Sequence, residues 1–422
     1  MAIKRIRVRN FKSFKDLEVE LGKFNVLIGA NASGKSNFIR IFEFLRDIVK
    51  HGLDNAISMQ GGSEYLRNIS IGSSEDFSLE VVSDQRSREL IRLEEKGSSE
   101  MKIYETIYKF TIKFNETGSG FKITEDNLTR KGKFVRLERQ NRRKKEKEEL
   151  GEGEIILSNV KGELKIDTRL PDGLSIAKDD TFSRFLLRLR EKKLPPKKLL
   201  IELPLFPFIL PPLEGIFGDV SIYDFDPKLP KKAVPITGKM ELEENGENLA
   251  IVLKNILEDK EKERKLSNLV RDLLPFVNKL DIEKFADKSL LFKLEEIYVQ
   301  NQYLPSPLIS DGTINITALI IALYFEQKLL TIIEEPERNI HPSLISGVVQ
   351  MLKEASQKKQ IIVTTHNPEM VRHTDLESIL LISRDKEGFS TISRPVEKEE
   401  VKTFLKNEIG IEELYVQDLL EA

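Results

Sequence analysis

The chain has 422 residues, 40% hydrophobic and 32% charged, with no Cys or Trp, and its 67 Lys and Arg nearly balance 69 Asp and Glu to leave a net charge of -2. That length and apolar content suffice for two or three modules with packed cores. The charge balance excludes a wholesale nucleic-acid coat, so any phosphate contact must come from local basic patches, and the missing cysteines exclude disulfides, Cys-zinc sites and thiol catalysis together.

The opening MAIKRIRVRNF has no unbroken apolar core of the kind a secretory signal needs. Ile3 to Val8 and Leu17 to Leu21 alternate apolar and polar residues and predict two half-buried strands, followed by the run Phe24-Asn-Val-Leu-Ile28, a buried strand. From about Lys35, Phe38, Ile41, Phe42, Leu45, Ile48 and Val49 recur at three-and-four spacing and predict a helix with one core-facing stripe. Short strands between Ser70 and Thr129 predict an antiparallel region, and the almost wholly charged Arg136 to Glu149 reads as a solvated loop or exposed helix face, with a nucleic-acid patch as the alternative. The longest apolar stretch, around Leu199 to Ile216, is cut by four prolines and would span a bilayer badly, so the cytoplasm is the expected location, with no membrane contact.

Helical spacing returns at Phe182 to Lys193 and from Leu249 to Leu280, without a sustained heptad. The last third alternates helix and strand: a helix from about Thr313, strands at Leu329 to Ile333, Gln360 to Thr364 and Ile379 to Ile382, and a helix from Pro342. Such alternation predicts a mainly parallel sheet covered by helices.

Three motifs carry chemistry. Gly29-Ala-Asn31-Ala32-Ser33-Gly34-Lys35-Ser36-Asn37 lies between a buried strand and a helix start, where a phosphate-binding loop must lie. Its glycines let backbone N–H groups converge on phosphates, Lys35 brings positive charge, and Ser36 offers a hydroxyl to Mg2+. Next, an apolar strand ends in Glu334-Glu335. Alternation points the two side chains opposite ways, suiting Glu334 to Mg2+ and Glu335 to the attacking water. Finally, the strand from Gln360 ends at His366, placed to reach a γ-phosphate or that water. Gln60, just before Gly61-Gly62, is a candidate metal ligand.

In order, GANASGKS, SDGT at Ser310 to Thr313, IIEEPERNIHP at Ile332 to Pro342 and VTTHNP at Val363 to Pro368 resemble the ABC-type ATPase heads related to RecF, SMC proteins and the OLD nucleases, and most closely the AbiEii-type AAA family. NFKSF at Asn10 to Phe14, GGSEYLR at Gly61 to Arg67, YDFDP at Tyr223 to Pro227 and GENLA at Gly246 to Ala250 extend the resemblance along the chain. It implies an α/β P-loop NTPase head of ABC type, split between residues 1–60 and 295–422, with an antiparallel β region at 61–135 and an inserted lobe at 136–294. It further implies ATP and Mg2+ as cofactors, and an ATP-dependent homodimer in which Ser310 and Gly312 reach the γ-phosphate held by a second subunit, with Asn339 to His341 along the seam.

The resemblance points to an ATPase acting on nucleic acid, in DNA repair or phage defence, or to a nucleotide-switched scaffold or toxin-like regulator that works through a protein partner. A transporter motor is disfavoured by the roughly 240 residues between Gly61 and Ser310. Only about 55 residues follow His366, too few for an OLD-type nuclease, so any such nuclease or effector is expected as a separately encoded partner.

Overall fold

A computed structural model of the chain describes residues 3–84, 86–116, 120–140, 143–177, 194–203, 217–285, 288–399, 401, 410–417 and 419–420. It divides into two units: Met1–Gly22 with Ser36–Val220 and Arg384–Ile392, and Lys23–Lys35 with Ser221–Ser383 and Ser393–Ala422.

The first unit is built on the alternation read in the sequence. In β1 (Ile3–Phe11), Ile3, Ile6 and Val8 are buried while Lys4, Arg7 and Arg9 face solvent. β1 pairs antiparallel with β2 (Phe14–Glu20) and β4 (Phe77–Ser83). The sheet then runs through β6 (Gly97–Phe114), β7 (Phe121–Gln140), β8 (Arg143–Val160) and β9 (Glu163–Arg169), with β5 (Ser87–Leu93) on β6. On its apolar face Phe11, Phe77 and Phe110 meet in sequence with tilted rings, their centroids 5.9 and 5.8 Å apart. Phe44 of α1 (Lys35–His51) meets Phe11 at 6.3 Å and Phe77 at 5.8 Å, so the helix is clamped to the sheet by aromatic contacts. Two short helices, α2 (Leu53–Met59) and α3 (Ser63–Leu66), follow it.

The charged run differs from its expectation. Residues 136–140 and 143–149 pair antiparallel as the adjoining ends of β7 and β8 rather than forming a loop or helix. Its acids find lysines across the sheet: Glu138 with Lys147 at 2.6 Å, Glu146 with Lys102 at 2.6 Å, and Glu149 with Lys133 at 3.0 Å. Cross-strand ion pairs allow an exposed sheet face to be almost entirely charged. The antiparallel sheet accordingly takes in strands from β1 at Ile3 to β9 at Arg169. The expected helix at 182–193 lies outside the described residues.

In the second unit β3 (Phe24–Ile28) is buried along its whole length, in the middle of a sheet ordered β10 (Val220–Tyr223), β15 (Leu330–Glu334), β16 (Gln360–Thr364), β3, β17 (Ile379–Arg384). β15, β16, β3 and β17 pair parallel, with Glu334 opposite Thr364 and Thr364 opposite Leu27. Their C-terminal ends therefore share one edge. The stretch of helical spacing from Leu249 to Leu280 holds two helices and the start of a strand: α4 (Leu249–Leu257), α5 (Lys260–Leu273) and β12 (Val277–Phe285). Asp259 breaks the helix because its carboxylate accepts from the N–H groups of Glu261 at 3.0 Å and Lys262 at 3.3 Å, capping a new helix. β12 joins β11 (Val234–Pro235), β13 (Ser289–Glu296) and β14 (Tyr303–Pro305) in a small antiparallel sheet, which spans the boundary expected at 295. Helix α6 (Asp311–Tyr324), buried from Thr313 through Leu323, and α7 (Pro342–Ser356) complete the frame. Among the described residues no helix is long and apolar enough to cross a membrane.

Candidate active site

β3 delivers the chain at the C-terminal edge of the parallel strands, where open α/β sheets bind ligands. The chain must turn there at once. Gly29 has φ 149, and a Cβ at this position would come within 2.2 Å of the Ile382 carbonyl oxygen on β17, so a side chain has no room. Ala32 at φ 63 and Gly34 at φ 124 continue the turn, a backbone of the kind that forms anion-binding nests. Asn31 and Ala32 are exposed and Ser33 is buried. Lys35 Nζ donates to the carbonyl oxygens of Gly29 at 2.6 Å and Ala30 at 3.0 Å. Burial lowers the pKa of this ammonium, while the Glu335 carboxylate acts in the opposite sense, so loop and carboxylate share one electrostatic environment.

β15 brings the acidic pair to the same edge. Glu334 is its last residue. Glu335 follows in left-handed conformation, φ 45, so the division between the two side chains comes from this backbone turn and not from strand alternation alone. Its N–H is fixed on the Thr364 carbonyl at 2.9 Å. Glu335 Oε1 lies 3.0 Å from His366 Nδ1, and Oε2 accepts from Arg338 Nε and Nη2 at 3.1 Å each. The expected pair Glu335 and His366 is thus in direct contact.

Two neighbours went unread in the sequence. Glu337 is buried and accepts from the hydroxyl of Thr365, whose own Oγ1 accepts from the Asn367 N–H at 2.9 Å. Burial pushes the Glu337 carboxyl up to about 7. Arg338 reaches from Glu335 to Asp224, with Nη1 donating to Asp224 Oδ1 at 2.8 Å. The repeated acids of Glu334-Glu335-Pro336-Glu337 were the available signal for Glu337. For Arg338 there was none beyond a charged residue in a loop.

Ser310 is the exposed N-cap of α6, its Oγ accepting from the Thr313 N–H at 3.2 Å. Gly312 packs against the loop after Glu335: a Cβ there would sit 2.6 Å from the Asn339 carbonyl oxygen. Asn315 Nδ2 also donates to the Arg338 carbonyl at 2.7 Å, so the start of α6 and residues 338–339 are braced together.

Ser36 and Asn37 open α1 and belong to the first unit. Asn37 Nδ2 donates to Ser13 Oγ at 2.8 Å, and both line a cavity of about 400 Å3 that also presents Lys12, Arg67 and Arg384. Gln60, in the same unit, caps the end of α2. It is buried, and its Oε1 has no hydrogen-bond partner among the described residues. Ser36 and Gln60 in the first unit, and Glu334 in the second, each carry an oxygen donor of the kind Mg2+ takes. Among the described residues no three His, Asp or Glu side chains form a metal-holding group of their own.

An uncharacterised protein of Methanocaldococcus jannaschii is 23% identical over 94 residues, 22% of this chain and 24% of that protein, so the match spans about a quarter of the relative's length. Among solved structures, a Smc head bound to the C-winged helix domain of ScpA shares 17% identity at a TM-score of 0.46, over 93% of this chain and 98% of that one. The SMC head domain from Thermotoga maritima shares 11% at 0.40, over 93% and 99%. A Smc head domain with an extended coiled coil, bound to the C-terminal domain of ScpA derived from Pyrococcus furiosus, shares 15% at 0.44, over 96% and 99%. The AAA-domain family described as putative AbiEii toxin, type IV toxin–antitoxin system, matches residues 24–372, from β3 through the segment bearing Glu335 and His366. That span is most of the chain, which therefore belongs to this AAA family and carries its P-loop ATPase domain.

Proposed function

We propose that the chain binds ATP on the Gly29–Ser36 loop and hydrolyses it, and that nucleotide-driven pairing of two copies gates a step in phage defence or DNA repair. The observation that carries this reading is the meeting of Lys35, Glu335 and His366 at the ends of adjacent parallel strands, with Glu335 3.0 Å from His366 and electrostatically coupled to Lys35. Lys35 exchanges its two carbonyl partners for phosphate oxygens. Glu335 orients and polarises the water that attacks the γ-phosphorus, and His366, with Nδ1 held against Glu335, reaches the phosphoryl oxygens or that water through its other ring nitrogen. Mg2+ would be taken by oxygen donors, for which Glu334, Ser36 and Gln60 are each candidates, and would supply charge neutralisation between the phosphates.

Pairing is supported by the exposed cap of α6. Ser310, exposed with its Oγ accepting from the Thr313 N–H, and Gly312 open α6, a helix start that suits an anion. A second copy's γ-phosphate is the anion proposed. A partner protein carrying a nuclease or other effector activity would then read the paired state.

The primary test is Lys35→Ala. Losing charge-assisted contacts to phosphate costs about 2 kcal/mol, roughly thirtyfold in affinity, measured by titration calorimetry with Mg2+-ATP. Unchanged affinity would remove the loop from the mechanism.

A further inference from the structure

We propose that Arg338 is a positioning residue that restrains Glu335, holding the carboxylate away from the attacking water until the guanidinium shifts onto Asp224. The inference rests on the hydrolytic role given above to Glu335.

A carboxylate that polarises water needs an oxygen lone pair free to accept from that water. Glu335 has three of its four lone pairs engaged: one on Oε1 with His366 at 3.0 Å, and both on Oε2 with two nitrogens of Arg338, each at 3.1 Å. The His366 contact belongs to the reaction already described. The arginine contact does not help it, because two N–H donors converging on one oxygen occupy its lone pairs and draw charge from the group that must attract the water's proton.

Arg338 is also placed to let go. Its third nitrogen, Nη1, donates to Asp224 Oδ1 at 2.8 Å, so two carboxylates compete for one guanidinium. Asp224 directly follows β10, and its N–H is fixed on the Glu244 carbonyl at 2.9 Å. The arginine backbone is equally anchored: its N–H donates to the Glu335 carbonyl at 2.9 Å and its carbonyl accepts from Asn315 at 2.7 Å. Both ends of the contact are therefore on fixed supports, and only side-chain torsions separate a guanidinium shared with Glu335 from one held by Asp224 alone. The ion pair is neither buried nor fully exposed, 38% for Arg338 and 27% for Glu335, which suits a contact that is broken in each cycle rather than one that fixes the fold.

The experiment measures steady-state Mg2+-ATP turnover by the full-length chain carrying Arg338→Ala, Arg338→Lys or Asp224→Asn, beside Glu335→Gln. Removing a partly exposed ion pair predicts a rise in kcat of roughly threefold to fivefold for Arg338→Ala, with KM for ATP unchanged. Arg338→Lys, which keeps the charge but not the two-nitrogen fork, returns kcat most of the way to wild type. Asp224→Asn removes the competing carboxylate, leaves the guanidinium on Glu335 and lowers kcat. An Arg338→Ala kcat equal to or below wild type, with ATP affinity retained, overturns the proposal. So does an Asp224→Asn kcat above wild type, which also decides the matter should Arg338→Ala not fold. Wild-type turnover by Glu335→Gln would instead overturn the role of Glu335 itself.

Discussion

Glu337→Gln tests whether the loop after β15 is as tightly closed as its geometry implies. The Glu337 carboxyl is 6% exposed, one oxygen accepts from Thr365, and the other has no hydrogen-bond partner among the described residues. Burial dominates and raises its pKa from 4.5 to about 7; the Thr365 hydroxyl opposes this, nearby Glu335 adds to it and Arg338 opposes it. A carboxyl with a raised folded pKa binds its proton more tightly in the native state, so its contribution is complete below pH 4.5 and is lost as pH rises to 7. Over that gap the native state loses about 3 kcal/mol. Glutamine keeps the shape and an oxygen for Thr365 but cannot ionise. Urea unfolding at pH 5 should then find the two proteins within about 1 kcal/mol of each other, and at pH 8 the variant should be more stable by about 3 kcal/mol. Equal stabilities at pH 8, or a more stable wild type, would refute the reasoning, since the charged carboxylate would then have to be well compensated.

Gly29→Ala places a Cβ 2.2 Å from the Ile382 carbonyl in a backbone region few side chains adopt. It should cost about 2 kcal/mol of stability and abolish ATP binding, read by thermal unfolding and calorimetry. Ser310→Arg, introduced into Glu335→Gln, should abolish the ATP-dependent rise in mass seen by analytical sedimentation, while the single chain still binds ATP. Persistence of that mass rise would refute the shared-site pairing.

What the sequence made legible was local. Gly29, Gly34 and Lys35 carry their role in residue type and in their place between strand and helix, and Glu335 and His366 stand at the ends of apolar strands whose parallel pairing follows from the alternation of helix and strand. The left-handed turn at Glu335 left no trace, because glutamate is not a residue that favours it. Arg338 and Asp224 are 114 residues apart, and nothing local joins them. The strand pairing of 136–140 with 143–149 was missed for a similar reason: Lys102 and Lys133, the partners of Glu146 and Glu149, lie on other stretches of strand. The helix break before α5 was written in the capping ability of Asp259, and the apolar periodicity on either side masked it.

The central claim is that Glu335 activates the water that cleaves ATP. Single-turnover hydrolysis of radiolabelled ATP, with Mg2+ and protein in excess, compares wild type with Glu335→Gln after calorimetry has established that both bind nucleotide. The account predicts bound, uncleaved ATP in the variant, with phosphate release slowed at least about a hundredfold, the scale of a lost general base. Phosphate release at the wild-type rate would contradict it.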